Sequence, residues 1–158
     1  DSTYPIYKFE FINMHPATDN VQFLFNMSSD SGSNYNVTKT TTYFLAEHNA
    51  TGGSANLSYQ SAKDLAQSTD FQKLMTDLGN AADENLSGYL TIYNPSSTTF
   101  VKNFMSRTNA QAYSATNISF DNYIAGYGNT TSAVDAIQFK MSSGTFDGVI
   151  KLYGIKDS

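Results

Sequence analysis

Tyr4-Pro5-Ile6-Tyr7-Lys8-Phe9-Glu10-Phe11-Ile12-Asn13-Met14 places Tyr7, Phe9 and Phe11 in alternation with Lys8 and Glu10. A period of two sets the rings on one face of a β-strand and the charges on the other, so the aromatic face points into a core. Val21 to Met27 repeats the pattern with Val21, Phe23, Phe25 and Met27, then stops at the turn-forming string Ser28-Ser29-Asp30-Ser31-Gly32-Ser33-Asn34. Outward from these two blocks, Tyr35 to Leu45 reads as a third strand around a Thr-rich centre, and Ala55 to Gln60 as a weak fourth. Gly88 to Tyr93 and Thr99 to Met105 flank Asn94-Pro95-Ser96-Ser97 and read as a hairpin. Val134 to Met141, with Ile137, Phe139 and Met141 on one face, and Val149 to Ile155 supply the last two strands. Tyr113 to Tyr127 is mixed and ends in Ala125-Gly126-Tyr127-Gly128-Asn129, a permissive backbone suited to a loop at the sandwich rim.

Short aromatic blocks between Gly, Asn, Ser and Asp predict an all-β antiparallel sandwich. The 158 residues fit one domain, 1–158, with no repeat or linker to divide it. A single short α-helix is expected at about 70–78, because Phe71, Leu74, Met75 and Leu78 recur at i, i+3, i+4 and i+7 and Thr69 stands in capping-box spacing to Gln72. So short a helix needs a sheet to pack on, at one end of the sandwich.

Composition narrows the function. Charged residues are only 15% of the chain, whereas Ser, Thr and Asn number 51, so solubility rests on neutral hydrogen-bonding groups. A net charge of −5, with Arg107 the only arginine, argues against nucleic acid as a partner. The absence of cysteine removes disulfides, thiolate nucleophiles and Cys-based metal sites. There is no run of about 20 apolar residues of the kind a membrane helix needs, so no membrane partner is expected. Because the first residue is Asp rather than Met, a processed, trimmed or renumbered chain is expected.

The candidates for chemistry are few. His15 and His48 are the only histidines, each without the i+3 or i+4 partner that builds a metal site on a helix. The carboxylates Asp64, Asp70, Asp77, Asp83, Glu84, Asp121 and Asp135 form no recognisable acid–base pair, and Asp77, Asp83 and Glu84 read as a solvated loop. Asp30 to Asn34 lacks the alternating ligands of a calcium loop. With no nucleophile-elbow serine, the chain reads as non-enzymatic, with no catalytic residue, cofactor or metal assigned. A contact for a glycan or partner is suggested at Asn122, Tyr123, Tyr127 and Asn129, where tyrosine rings and amides border glycines. The Asn-x-Ser/Thr triplets at Asn26, Asn36 and Asn129 are expected by chance in such a composition.

Three sets of motifs resemble a widespread family of bacteriophage virion proteins. Tyr7 to Phe11 and Val21 to Asn26 precede Gly32-Ser33-Asn34-Tyr35; Leu90-Thr91-Ile92-Tyr93-Asn94-Pro95 precedes Phe100-Val101-Lys102; and Asp135-Ala136-Ile137-Gln138-Phe139, Ser143-Gly144 and Leu152-Tyr153-Gly154-Ile155-Lys156 close the chain. The resemblance implies a jelly-roll-like sandwich located in the virion, on the capsid exterior or tail. It would act as a capsid decoration, cement or head-fibre subunit that binds other virion proteins, the major capsid protein or tail proteins, as a homo-oligomer. The alternative within the same resemblance is a tail or fibre-tip module that binds a host-cell receptor or glycan.

Overall fold

The computed structural model describes residues 2–113 and 117–156. Its strands are β1 (Ile6–Pro16), β2 (Val21–Ser28), β3 (Lys39–Asn49), β4 (Ala55–Tyr59), β5 (Gln72–Leu78), β6 (Leu86–Tyr93), β7 (Lys102–Ala112), β8 (Ile118–Gly128), β9 (Ala136–Met141) and β10 (Phe146–Ile155). Seven of them pair antiparallel in the order β10-β1-β6-β7-β8-β3-β4. The other three form a smaller layer, β5-β2-β9, joined to the large one through the single pair Leu78↔Ala112. The result is an antiparallel β-sandwich, as the alternating aromatic blocks predict, with the jelly-roll-like character that the resemblance implies.

The aromatic faces of the first two blocks meet between the layers. Phe11 of β1 lies edge-on to Phe23 of β2 and Phe139 of β9, each at 5.1 Å between centroids, and Phe25 of β2 lies edge-on to Phe104 of β7 at 5.0 Å. Edge-to-face packing aligns positive ring edges with negative faces and adds about 0.5–1.5 kcal/mol per pair beyond area burial. β7 shows the alternation most cleanly: Lys102, Phe104, Ser106, Thr108, Ala110 and Ala112 are buried, while Asn103, Met105, Arg107 and Asn109 are exposed.

The helix predicted for residues 70–78 is instead the strand β5. Its pairing with β2 slips twice, between Val21 and Phe23 and again between Phe23 and Leu24. Each slip offsets the alternation by one residue, so Leu74, Met75 and Leu78 are all buried at a spacing that imitates a helix stripe. A nine-residue helix gains little by itself, whereas a strand here satisfies the open edge of β2. Among the described residues there is no helix.

Other boundaries shift as well: β7 starts at Lys102 rather than Thr99 and runs on to Ala112 rather than stopping at Met105, and β10 starts at Phe146 rather than Val149. The third strand begins at Lys39 rather than Tyr35. The region expected as a rim loop is largely β8, an eleven-residue strand in the middle of the large sheet. Its glycines serve close approach: a Cβ on Gly128 would stand 2.8 Å from Met27 Cε and 3.0 Å from Val37 Cγ1. Gly128 pairs with Lys39 on one side and Lys102 on the other, and both lysines are fully buried. Among the described residues neither is matched to a carboxylate at contact distance. Lys39 Nζ donates to Asn26 Oδ1 (2.5 Å) and Val37 O (2.7 Å), and Lys102 Nζ donates to Phe100 O (2.6 Å) and Thr130 O (3.2 Å). The two ammonium groups thereby fasten the loops at that end of the sandwich.

Phe25→Ala is expected to destabilise the fold by about 3–5 kcal/mol, read as a lowered urea midpoint at unchanged slope, because it empties a buried site against Phe104. A second expectation concerns pH. Burial lowers Lys39 to about 8, against the slight opposing pull of Asp70. Between pH 8 and 10 the unfolded chain therefore binds a proton that the fold has released, and unfolding free energy rises by up to about 3 kcal/mol. Above pH 10 it falls again, because burial, with Asp77 assisting, raises the Tyr43 phenol and the fold keeps a proton the unfolded chain loses. Denaturant titrations of Lys39→Met should show a shallower rise between pH 8 and 10; an unchanged rise would assign it to other groups.

Candidate functional site

Two surfaces have features beyond those of an ordinary exterior. The first is the outer face of the seven-stranded sheet, opposite the small layer. Its strand registers align side chains in rows that cross the strands. One row runs Glu10, Tyr89, Arg107, Tyr123, Phe44, Tyr59 across β1, β6, β7, β8, β3 and β4. Arg107 lies 4.8 Å from the Tyr123 ring centroid and grips Asp121 with two bonds, Nε to Oδ1 at 3.0 Å and Nη2 to Oδ2 at 2.6 Å. That contact, with the Tyr123 hydroxyl donating to Asp121 Oδ2 at 3.0 Å, holds the Asp121 carboxyl below its usual range and Arg107 firmly protonated. Lys8 bonds Glu10 at 2.9 Å and lies 5.1 Å from the Tyr89 ring centroid. The ionic groups of this row are thus internally matched.

Four residues further along the strands, Asn103 pairs with Tyr127 and Tyr127 with Thr40, while Tyr93 follows the Ile92↔Phe104 pair beside Asn103. Between the rows lie Thr91, Met105, Ala125 and Thr42. Ala125 is small, so the surface sinks there into a groove of ≈ 530 Å³ bordered by Tyr93 and Tyr127, with Met105, Thr40 and Thr42 also lining it. Gln67 ties the far rim. Its amide nitrogen donates to Thr40 Oγ1 (2.6 Å) and to the Tyr127 hydroxyl (3.3 Å), and its oxygen accepts from Asn129 Nδ2 (2.8 Å).

The four residues singled out from sequence therefore separate. Tyr127 borders the groove, Asn129 braces its rim, and Tyr123 stands in the neighbouring row, 40% exposed. Asn122 is the correction: it is wholly buried, its Oδ1 accepting from the Tyr43 hydroxyl at 2.7 Å and its Nδ2 donating to Thr108 O at 3.3 Å. In a strand its side chain must point opposite to that of Tyr123, so it cannot share a surface with it. Tyr93, Asn103 and Met105 come from other strands and escape a reading of local motifs. The available signal is their shared parity with exposed neighbours on β6 and β7.

The second surface is the open side of the sandwich. The three-stranded layer does not reach across the large sheet, and an apolar cleft of ≈ 450 Å³ remains, lined by Tyr7, Phe9, Ile92, Val134, Ile137 and Leu152 among others. The edge strands β9 and β10 lie on this side. β10 exposes Val149 (51%), Leu152 (56%), Tyr153 (43%) and Ile155 (44%), an apolar edge on both faces.

The remaining candidates serve local structure. His15 Nδ1 bonds Glu84 O at 2.7 Å. Glu84, expected in a solvated loop, is buried and accepts from Ala81 N at 2.9 Å, closing the turn before β6. Asp30 accepts from Ser28 Oγ and from the backbone and side-chain nitrogens of Asn34, which lower its carboxyl to about 2. Among the described residues no group of three or more His, Asp or Glu comes together. Comparison of the chain with protein-family models, with curated proteins and with solved structures found no match.

Proposed function

We propose that the chain is a non-enzymatic structural subunit of a phage virion, a decoration, cement or head-fibre protein of the capsid exterior. It docks through the open side of its sandwich. The observation that supports this most is the apolar cleft beside the strand edges β9 and β10, with Leu152 more than half exposed. Soluble β-proteins usually blunt such edges with charge, proline or a covering loop. β10 carries Asp147 and Lys151, but its exposed Val149, Leu152, Tyr153 and Ile155 leave it mostly apolar, and such an edge suits an extended segment of a neighbouring virion subunit, which would pair its backbone with an edge strand and set alternate side chains into the cleft. Contacts of this kind stabilise the assembled state only, through surface buried between subunits, and repeat by symmetry in a homo-oligomeric cluster. The motif resemblance supplies the virion context, and the neutral, cysteine-free exterior is compatible with it.

A second reading, a tail or fibre-tip module for a host receptor or glycan, is favoured by a different observation, the tyrosine-bordered groove on the outer face.

Purified particles resolved by electrophoresis should contain the chain, in hundreds of copies for a shell location and a few for a tail. Its absence from intact particles would end the virion reading. Leu152→Asp, which sets a charge into an exposed position of the cleft, should leave the isolated fold intact and lower the copy number per particle at least tenfold.

A further inference from the structure

We propose that the groove on the outer face binds a neutral, extended oligosaccharide laid across β6, β7, β8 and β3. This deepens the receptor-binding reading by naming the ligand class, and it concerns a different surface from the docking cleft.

The geometry of the rows carries the inference. Tyr93 on β6 and Tyr127 on β8 are separated by β7 alone, so their positions are two strand spacings apart, about 9.6 Å. That span approximates two equatorially linked pyranose rings, so every second sugar of an extended chain would come over a tyrosine. Sugar rings offer an apolar C–H face to an aromatic ring and hydroxyls around their rim. The groove matches both demands: tyrosines and Met105 for the faces, and Asn103, Thr40 and Thr42 for hydroxyls. The Gln67 bridge to Thr40, Tyr127 and Asn129 fixes one wall before any ligand arrives, which lowers the ordering cost of binding.

Competing ligand classes fit less well. An anionic chain would need a cation, but Arg107, the only arginine, is held by Asp121 through two bonds, and Lys8, paired with Thr91 beside the groove, is held by Glu10. Lys102, although close in sequence to Asn103, points to the opposite face and is buried. A peptide strand would need an open sheet edge, whereas β6, β7, β8 and β3 each have a partner on both sides.

The test is calorimetric titration of the isolated chain with β-1,4-linked oligomers of glucose, mannose and N-acetylglucosamine, from one to six sugars. Tyrosine fluorescence, undisturbed by tryptophan, gives a second readout. Affinity for at least one series should rise with length to about four sugars and then level. Tyr93→Ala and Tyr127→Ala should each weaken it about tenfold or more. Ala125→Gln fills the groove floor from the solvent side without altering the core and should abolish binding, so the inference does not depend on either tyrosine variant folding. No response to any of the three series at millimolar concentration, binding unchanged in all three variants, or stronger binding of a polyanionic chain of equal length would each overturn the proposal. Sugar binding is read on the isolated chain and virion association on particles, so either reading can fail without the other.

Discussion

Everything in this molecule depends on the aromatic seam where β2 and β9 press their phenylalanines onto β1 and β7. A ten-stranded all-β chain without disulfides has to meet the entropy of ordering its backbone from burial, and non-local pairing gives no early local reward. Phe11, Phe23, Phe25, Phe104 and Phe139 provide that burial, in edge-on contact across the layers, with Phe23 and Phe139 also stacked side by side within the smaller one. The seam also sets the register. A shift of one residue in β2 would send Phe23 and Phe25 outward and place Gln22 and Leu24 in the core, so the packing selects one alignment out of several similar ones.

The unequal size of the layers gives the module two different sides. Three strands cannot cover seven, and the uncovered inner surface appears as the apolar cleft next to β10. On the opposite face, alternation brings tyrosines, threonines and asparagines to the surface in ordered rows, with their few charges matched among themselves. One side offers exposed apolar surface and strand edges. The other offers rings and neutral hydrogen-bonding groups. A virion-exterior subunit that holds on with one side and meets the surroundings with the other would use both.

The strands with simple alternation were legible in the sequence: β1, β2 and β9 carry period-two patterns close to their observed bounds, whereas the β6–β7 hairpin was marked by its Asn94-Pro95 turn with β7 cut short at Met105, and β10 was marked by an apolar block without alternation. The misreadings have a common cause, in that local pattern is modified by a partner elsewhere in the chain. In β5 the register slips against β2 convert alternation into an apparent helical stripe. In β8 the glycines suggested a loop, but they are required because Met27, Val37, Thr41 and Phe104 crowd the strand from the core side. Of the outer-face groove and its rim, Tyr127 and Asn129 were accessible to sequence reasoning, because a tyrosine and an amide beside glycines is a local feature. Tyr93, Asn103 and Gln67 were not, since only the pairing of β6 with β7 and the placement of the β4–β5 connection bring them there.

The strand order has a geometric corollary. Neighbouring strands rotate by roughly 20–25° relative to one another, so six successive steps from β10 to β4 amount to about 120–150° of accumulated turn. With the usual twist, the two margins of a sheet this wide run in very different directions. A rigid rod can follow only its central strands before the surface curls away from it, and copies joined margin to margin would wind into a screw instead of tiling a plane.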